Sequence, residues 1–349
     1  MDLALNEEES SIDQLFGSFF EKECPMERVR NAEPLGFDED LWERFSSTGA
    51  TGMGLPESQG GSGASASDAA LVSESLGRSL APLPFVEHFV ATRLLARCLG
   101  DDPVLPILAG SDAIATLALH PVDGTIARLV PAGAVATHVL ALAGEDLVLG
   151  VADPPRRAAA NFAASPLADR DFGPNLDPNL GQNARRVIVA GPEAAAAHAI
   201  ALDEWRALTA GALVGVGQAA FDLGLGYAKE RMQFGVAIGS FQALQHRFAD
   251  LAVALDGARL LARKAAWAFE QEPAEARRLA RMSLIFCGDV ANECATFALH
   301  VHGGYGVSQE YDVQLYYRRA KGWRLVLDDP AVEVARLADE LLGPVGGVG

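Results

Sequence analysis

Arg231 closes a helical stretch and is followed, one residue on, by Gln233-Phe234-Gly235. A guanidinium at that place can fork onto a pyrophosphate, and a phenylalanine beside it can pack against a flat ring. Gly303 and Gly304 form a second candidate. Without a Cβ, two such residues let the backbone approach a ligand and offer its N–H groups as donors. The same glycines, with Gly306, would equally serve as a plain turn between helices. Asp203 and Glu204 open another helical stretch, where acidic side chains suit the helix dipole. His246, His300 and His302 have no carboxylate at a spacing that would make a metal or general-base site; a packed helix face or a phosphate-facing role accounts for them better. Cys24, Cys98, Cys287 and Cys294 are scattered without metal-ligand spacing and read as buried, reduced thiols.

These residues must be positioned by three regions. Residues 11–100 carry apolar positions at helical spacing in Ile12–Phe20, Phe37–Phe45, Ala69–Leu80 and Val86–Leu99. The glycines and Pro56 between Gly49 and Gly63 interrupt the helices, and Asp68 is the expected N-cap of the next one. From Asp101 to Gly191 the runs shorten and turn β-prone: Val104–Ala109, Ala113–Leu119, Val135–Ala141, Asp146–Val151 and Arg185–Ala190. Residues 153–183 read as loop, with a poorly ordered stretch expected at Pro174–Asn179. Beyond Glu193 the helical period returns in Leu208–Met232, Phe241–Gln271, Pro273–Val301, Val313–Leu325 and Ala331–Leu342, the pattern of an antiparallel bundle. The expected domains are therefore 1–102, helical; 103–192, small and β; and 193–349, a helix bundle.

Composition narrows the function. Of 349 residues, 46 are acidic and 28 basic, a net charge of −18. Nucleic-acid binding relies on clustered Lys and Arg, so this balance argues against it, as it does against polybasic membrane binding. The first ten residues lack the basic and apolar regions of a signal peptide, and no uninterrupted apolar run approaches the roughly 18–20 residues of a membrane span. With the thiols, this makes the expected location the cytoplasm.

Three segments in order resemble the acyl-CoA dehydrogenase family. Gly54–Pro82 (GLPESQGGSGASASDAALVSESLGRSLAP) is similar to its "PE..GG.G" turn and "E.LGR" helix. Tyr227–Trp267, beginning YAKERMQFGVAIGSFQALQHRFAD, is similar to its "R.QFG..I..FQ..Q..LAD" helix pair. His300–Lys321 (HVHGGYGVSQEYDVQLYYRRAK) is similar to its "HGG.G" turn and "RRA" helix. The resemblance implies the family fold: an N-terminal helical domain, a middle β domain and a C-terminal antiparallel bundle. It implies FAD as cofactor, an acyl-CoA substrate and an electron-transfer acceptor. It further implies that Arg231, Gln233, Phe234, Ile238, Phe241, His300, Gly303 and Gly304 clamp the ADP half of a flavin held mainly by a neighbouring subunit. Asp203 and Arg206 match an acid and an arginine that help to hold the CoA and acyl chain.

The family's chemistry is α,β-dehydrogenation, which needs a carboxylate to take the α proton. Its two usual positions fall here on Leu327 and Trp205. The nearest acids are Asp328 and Glu204, and a one-residue shift turns a helical side chain by about 100°. Glu310 matches a structural family glutamate. The middle region lacks the family's "EP..GSD" loop and "W....G.K..I.N" strand; the four tryptophans are Trp42, Trp205, Trp267 and Trp323, and His300 replaces a glutamine. What persists is the part that reaches a partner's flavin. Some bacterial family members pair a complete with an incomplete subunit, notably in breakdown of steroid side chains, and this sequence resembles the shorter, incomplete partner of such an α2β2 heteromer. The alternatives are a homo-oligomer with a relocated base at Asp328 or Glu204, a non-enzymatic acyl-CoA or flavin-binding scaffold, and a flavin monooxygenase on the same fold.

Overall fold

The computed structural model describes residues 4–173 and 184–343. In chain order it contains α1 (Glu7–Glu23), α2 (Met26–Ala32), α3 (Glu39–Ser46), α4 (Ala66–Ser79), α5 (Phe85–Leu99) and α6 (Val104–Leu108). Strands β1 (Ala115–Leu117), β2 (Ile126–Val130), β3 (His138–Ala143), β4 (Asp146–Val151), β5 (Ala168–Asp171) and β6 (Ala184–Val189) follow. Then come α7 (Pro192–Glu230), β7 (Met232–Gln233), β8 (Val236–Ala237), α8 (Gln242–Gln271), α9 (Pro273–His302), α10 (Val313–Trp323) and α11 (Pro330–Leu342). Contacts divide the chain into two compact units. Of the described residues, one unit holds those up to Met26, Ala70–Ala81 and those from Arg206 on; the other holds those within Glu27–Ala69 and Pro82–Trp205.

In the second unit the strands form a sheet ordered β1-β3-β4-β6, with β1 parallel to β3 and the other pairs antiparallel; β2 and β5 pair separately. The β3–β4 hairpin turns through Gly144-Glu145, with Gly144 at φ +65°, the left-handed first position that a type II′ turn reserves for glycine. An aromatic core of Phe37, Trp42, Phe45, Phe85 and Phe89 surrounds His88, whose ring meets Trp42 edge-on at 5.2 Å. His88 ties three elements together. Its Nδ1 accepts the Ala115 N–H (3.1 Å), and its Nε2 faces the carbonyls of Leu108 (3.0 Å) and Thr51 (3.2 Å).

In the first unit the long helices pack as the antiparallel bundle expected from periodicity. Close approach is built from small residues: a Cβ on Gly215 of α7 would lie 2.0 Å from the Glu74 carbonyl oxygen of α4, and one on Gly77 would lie 1.9 Å from that of Ala212. Alanine layers continue the theme, with Ala265 and Ala268 of α8 against Ala276 and Ala280 of α9. Both α7 and Pro273–Val307 are long and apolar enough to cross a membrane by length and composition alone, although the apolar window of α7 is 78% buried within the protein, as in a soluble core helix.

Several local expectations change. Val104–Ala109 is helix α6, not a strand; Asp102 accepts the Val104 N–H at 3.0 Å, and Pro106 falls within the first turn where its missing N–H is tolerated. Asp68 is not the N-cap of α4. It sits inside the helix and accepts from the backbone N–H of Ser65 (2.9 Å), while Ser65 Oγ accepts from the Asp68 N–H (3.1 Å), the reciprocal pair of a capping box. Strand β5 lies in the stretch read as loop, and α7 begins at Pro192, well before Leu208. Pro174–Asn179 lies outside the described residues.

Candidate functional site

Helix α7 ends by handing the chain to a two-residue hairpin. Met232 pairs with Ala237 and Gln233 with Val236, leaving Phe234 and Gly235 at the tip with φ +52° and +82°. Two positive φ angles make a type I′ turn, whose favoured residues are Asn and Gly. Phenylalanine there carries about 1–2 kcal/mol of backbone strain, and its ring is 93% exposed. Among the described residues nothing repays that placement. Only Phe241 lends the ring an edge, at 6.3 Å between centroids. Arg231 and Gln233 are exposed beside it, and Ile238 closes the loop by donating its N–H to the Arg231 carbonyl at 2.8 Å. Phe234→Gly should therefore leave thermal stability unchanged or raise it, by up to about 1 kcal/mol in a denaturant titration, while removing the ring from any ligand it serves.

The glycine turn lies close by. His302, the last residue of α9, stacks on Tyr227 of α7 (4.3 Å, 24°) and bonds through Nδ1 to the Ala298 carbonyl at 2.7 Å. Ala228, Phe248 and Val301 form one buried cluster, with Ile238 packed against it, so the ends of α7 and α9 are locked together. His302 is thus a packing residue, whereas His300 and His246 are exposed. The three glycines now separate. Gly306 is required by packing, since a Cβ would meet the Leu299 carbonyl oxygen at 2.6 Å. Gly303 is required by its φ of +62°. Gly304 has neither constraint: its φ is not left-handed and a Cβ would meet nothing within 4 Å. Its openness fits a surface against which something outside the chain comes close.

The segment Asp203-Glu204-Trp205-Arg206 is buried throughout, each residue at most 4% exposed. Glu204 accepts from Arg93 (3.2 Å) and Arg97 (2.5 Å) of α5. Arg206 holds Glu333 of α11 in a forked pair, through Nε at 2.9 Å and Nη2 at 3.2 Å. Burial would raise the Glu333 pKa, but Arg206 and Arg336 together hold it below the ordinary carboxylate value. Arg336 also binds Asp328 at 2.7 Å, and Leu327 is buried. The structure therefore gives Arg206, Glu204 and Asp328 protein partners. Glu333 was not visible from sequence, because its partner lies 127 residues away. Among the described residues no group of three metal-ligating side chains occurs, and the four cysteines form no disulfide.

Family models for the acyl-CoA dehydrogenase N-terminal and C-terminal domains match residues 6–100 and 195–342. Acyl-CoA dehydrogenase IpdE2 of Mycobacterium tuberculosis is 32% identical over 90% of this chain and 90% of its own. The chain belongs to the acyl-CoA dehydrogenase family. Acyl-CoA dehydrogenase IpdE2 of Mycolicibacterium smegmatis is 29% identical, over 97% of this chain and all of its own. The solved ChsE4-ChsE5 complex from Mycobacterium tuberculosis superposes with a TM-score of 0.85 at 25% identity, covering 99% of this chain and 100% of that one. The Tcur3481-Tcur3483 steroid ACAD gives 0.83 at 25%, covering 96% and 98%. The acyl-CoA dehydrogenase fold expected from sequence is thereby shown, and with it an oxidoreductase family acting on CH–CH pairs.

Proposed function

We propose that this chain is the flavin-clamping, base-lacking subunit of a heteromeric, FAD-dependent acyl-CoA dehydrogenase, acting on steroid-derived or fatty acyl-CoA thioesters in the cytoplasm. The observation that carries the reading is a contrast within one chain. Phe234, Arg231 and Gly304 face outward without an internal reason, while both family base positions are filled by buried apolar side chains, Leu327 and Trp205. Arg231, Gln233, Phe234, Ile238, Phe241, His300, Gly303 and Gly304 would hold the ADP half of FAD belonging to a second dehydrogenase subunit. When bound, the flavin supplies a hydride acceptor for the substrate β hydrogen, and an electron-transfer protein takes the electrons onward. The carboxylate that removes the α proton would come from the partner.

The names of similar proteins support the heteromer and the substrate class: one solved relative is a complex of two proteins and another is a steroid ACAD. A homo-oligomer with a relocated base fits less well. Glu204 is enclosed between two arginines, and Asp328 is committed to Arg336. In the complex purified with its partner, Arg231→Ala should weaken FAD affinity by about ten- to a hundredfold, the weight of one charge-assisted contact of about 1.5–3 kcal/mol, and so lower the flavin retained per complex. Unchanged flavin occupancy, measured by absorbance per complex, would remove the clamp from the reading.

A further inference from the structure

A cavity of about 410 Å³ lies wholly within the second unit, among its strands, whereas the proposed clamp belongs to the first. Its volume falls in the range of small-molecule sites, roughly 300–1,000 Å³. One wall is a row across three strands: Val139 of β3 pairs with Gly150 of β4, which pairs with Arg185 of β6. Residues directly opposite in register share a face of the sheet. The other wall is the segment Arg170–Gly173 at the end of β5. The Phe172 ring lies over Gly150, where a Cβ would come within 2.8 Å of it. Val139 and Phe172 thus make part of the lining apolar. Two of the lining residues are arginines. Arg170, 7% exposed, donates through Nη1 to the carbonyls of Gly133 (3.0 Å) and Ala136, and through Nη2 to that of Ala152 (3.1 Å). Carbonyls satisfy its N–H groups but leave the charge unmet, and burial lowers its pKa. Arg185 donates from Nη1 to the Phe172 carbonyl at 3.2 Å, and among the described residues its Nε has no acceptor. Asp171 also lines the cavity, but it is exposed, and among the described residues it pairs with neither arginine. The buried Arg206 is the contrasting case, matched by the carboxylate of Glu333.

We infer that this cavity is a binding site for a small organic carboxylate, its charge held by Arg185 beside Arg170 and its apolar body against Phe172 and Val139. The site is independent of the heteromer reading above. A guanidinium presents a planar fork of donors that matches a carboxylate, and such charge-assisted bonds are stronger than neutral ones. Arg185 has donors to give; Arg170, engaged with three carbonyls, contributes its charge. A cation is repelled by the two arginines. A neutral ligand leaves both charges unmet, and an anion without an apolar body leaves the faces of Phe172 and Val139 unused.

The test uses the full chain as purified and three ligands, with binding read by calorimetry: benzoate, its neutral isostere benzamide, and acetate, which keeps the carboxylate and lacks the ring. Benzoate should bind about ten- to a hundredfold more tightly than benzamide, the effect of one charge-assisted hydrogen bond. Acetate should bind about tenfold more weakly than benzoate, for want of apolar burial. Arg185→Gln should weaken benzoate by about ten- to a hundredfold, and Arg185→Lys should keep part of the affinity. Bound benzoate should also slow amide hydrogen exchange in β4 and β6, a readout on the wild-type chain that serves if Arg185→Gln fails to fold. Absence of benzoate binding, equal binding of benzoate and benzamide or of benzoate and acetate, affinity untouched by Arg185→Gln, or protection confined to other segments would each overturn the inference. The acyl-CoA reading stands in every case.

Discussion

Glu333→Ala lowers the unfolding free energy by about 3–5 kcal/mol, because it removes one member of a buried, forked ion pair. Arg206 and Glu333 are each only 3% exposed and share two parallel hydrogen bonds, so neither has water to fall back on. Arg336 also donates to Glu333 at 2.6 Å but remains 43% exposed, so it can turn to solvent when its partner is removed. Arg206 cannot. The double variant Arg206→Met/Glu333→Leu should recover most of the loss, since two apolar side chains of similar volume leave no charge behind. Denaturant titration of the two single variants and the double variant measures the coupling directly. A loss below about 1 kcal/mol in both singles would mean that the pair behaves as a surface ion pair.

Acid should destabilise the protein through two buried histidines. Burial depresses His88 from 6.5 to about 4, against the pull of its carbonyl partners, and burial depresses His138 likewise. A base whose folded pKa is depressed is held neutral by the fold. Its contribution is whole above pH 6.5 and is lost as pH falls from there to about 4. For each histidine the loss reaches about 3 kcal/mol once pH is below the folded value. The structure shows why His88 resists protonation. Its Nδ1 accepts the Ala115 N–H, so a proton arriving there would break the link to β1 and place a charge among Trp42 and its aromatic neighbours. His88→Gln should flatten the pH profile between 6.5 and 4, at lower overall stability. A wild-type unfolding free energy constant across that window would contradict the assignment.

The sequence revealed elements whose cause is local and concealed those whose cause is distant. Helices α8 and α9 were legible almost to the residue, since their apolar spacing and the Pro273 start lie within the segment itself. The hairpin tip was legible as a turn from Gln233-Phe234-Gly235. Val104–Ala109 misled because a short apolar run has no period long enough to separate strand from helix, and the Asp102 contact that favours helix is one hydrogen bond. Strand β5 was missed because its residues, Ala-Asp-Arg-Asp, have little strand preference of their own; pairing with β2 makes it a strand. The partners of Arg206 and Glu204 join residues more than a hundred positions apart. No spacing rule reaches that far. The strain at Phe234 also needed coordinates, because only the backbone angle shows that the turn holds a residue type it disfavours.

The central claim is that this chain completes a flavin site on another subunit. The most direct measurement is FAD bound per chain, by absorbance in the flavin band, for the protein purified alone and for the protein purified with its dehydrogenase partner. Negligible flavin alone and full flavin in the complex is the predicted result. A full complement of FAD on the chain purified alone, bleached by adding an acyl-CoA, would contradict it.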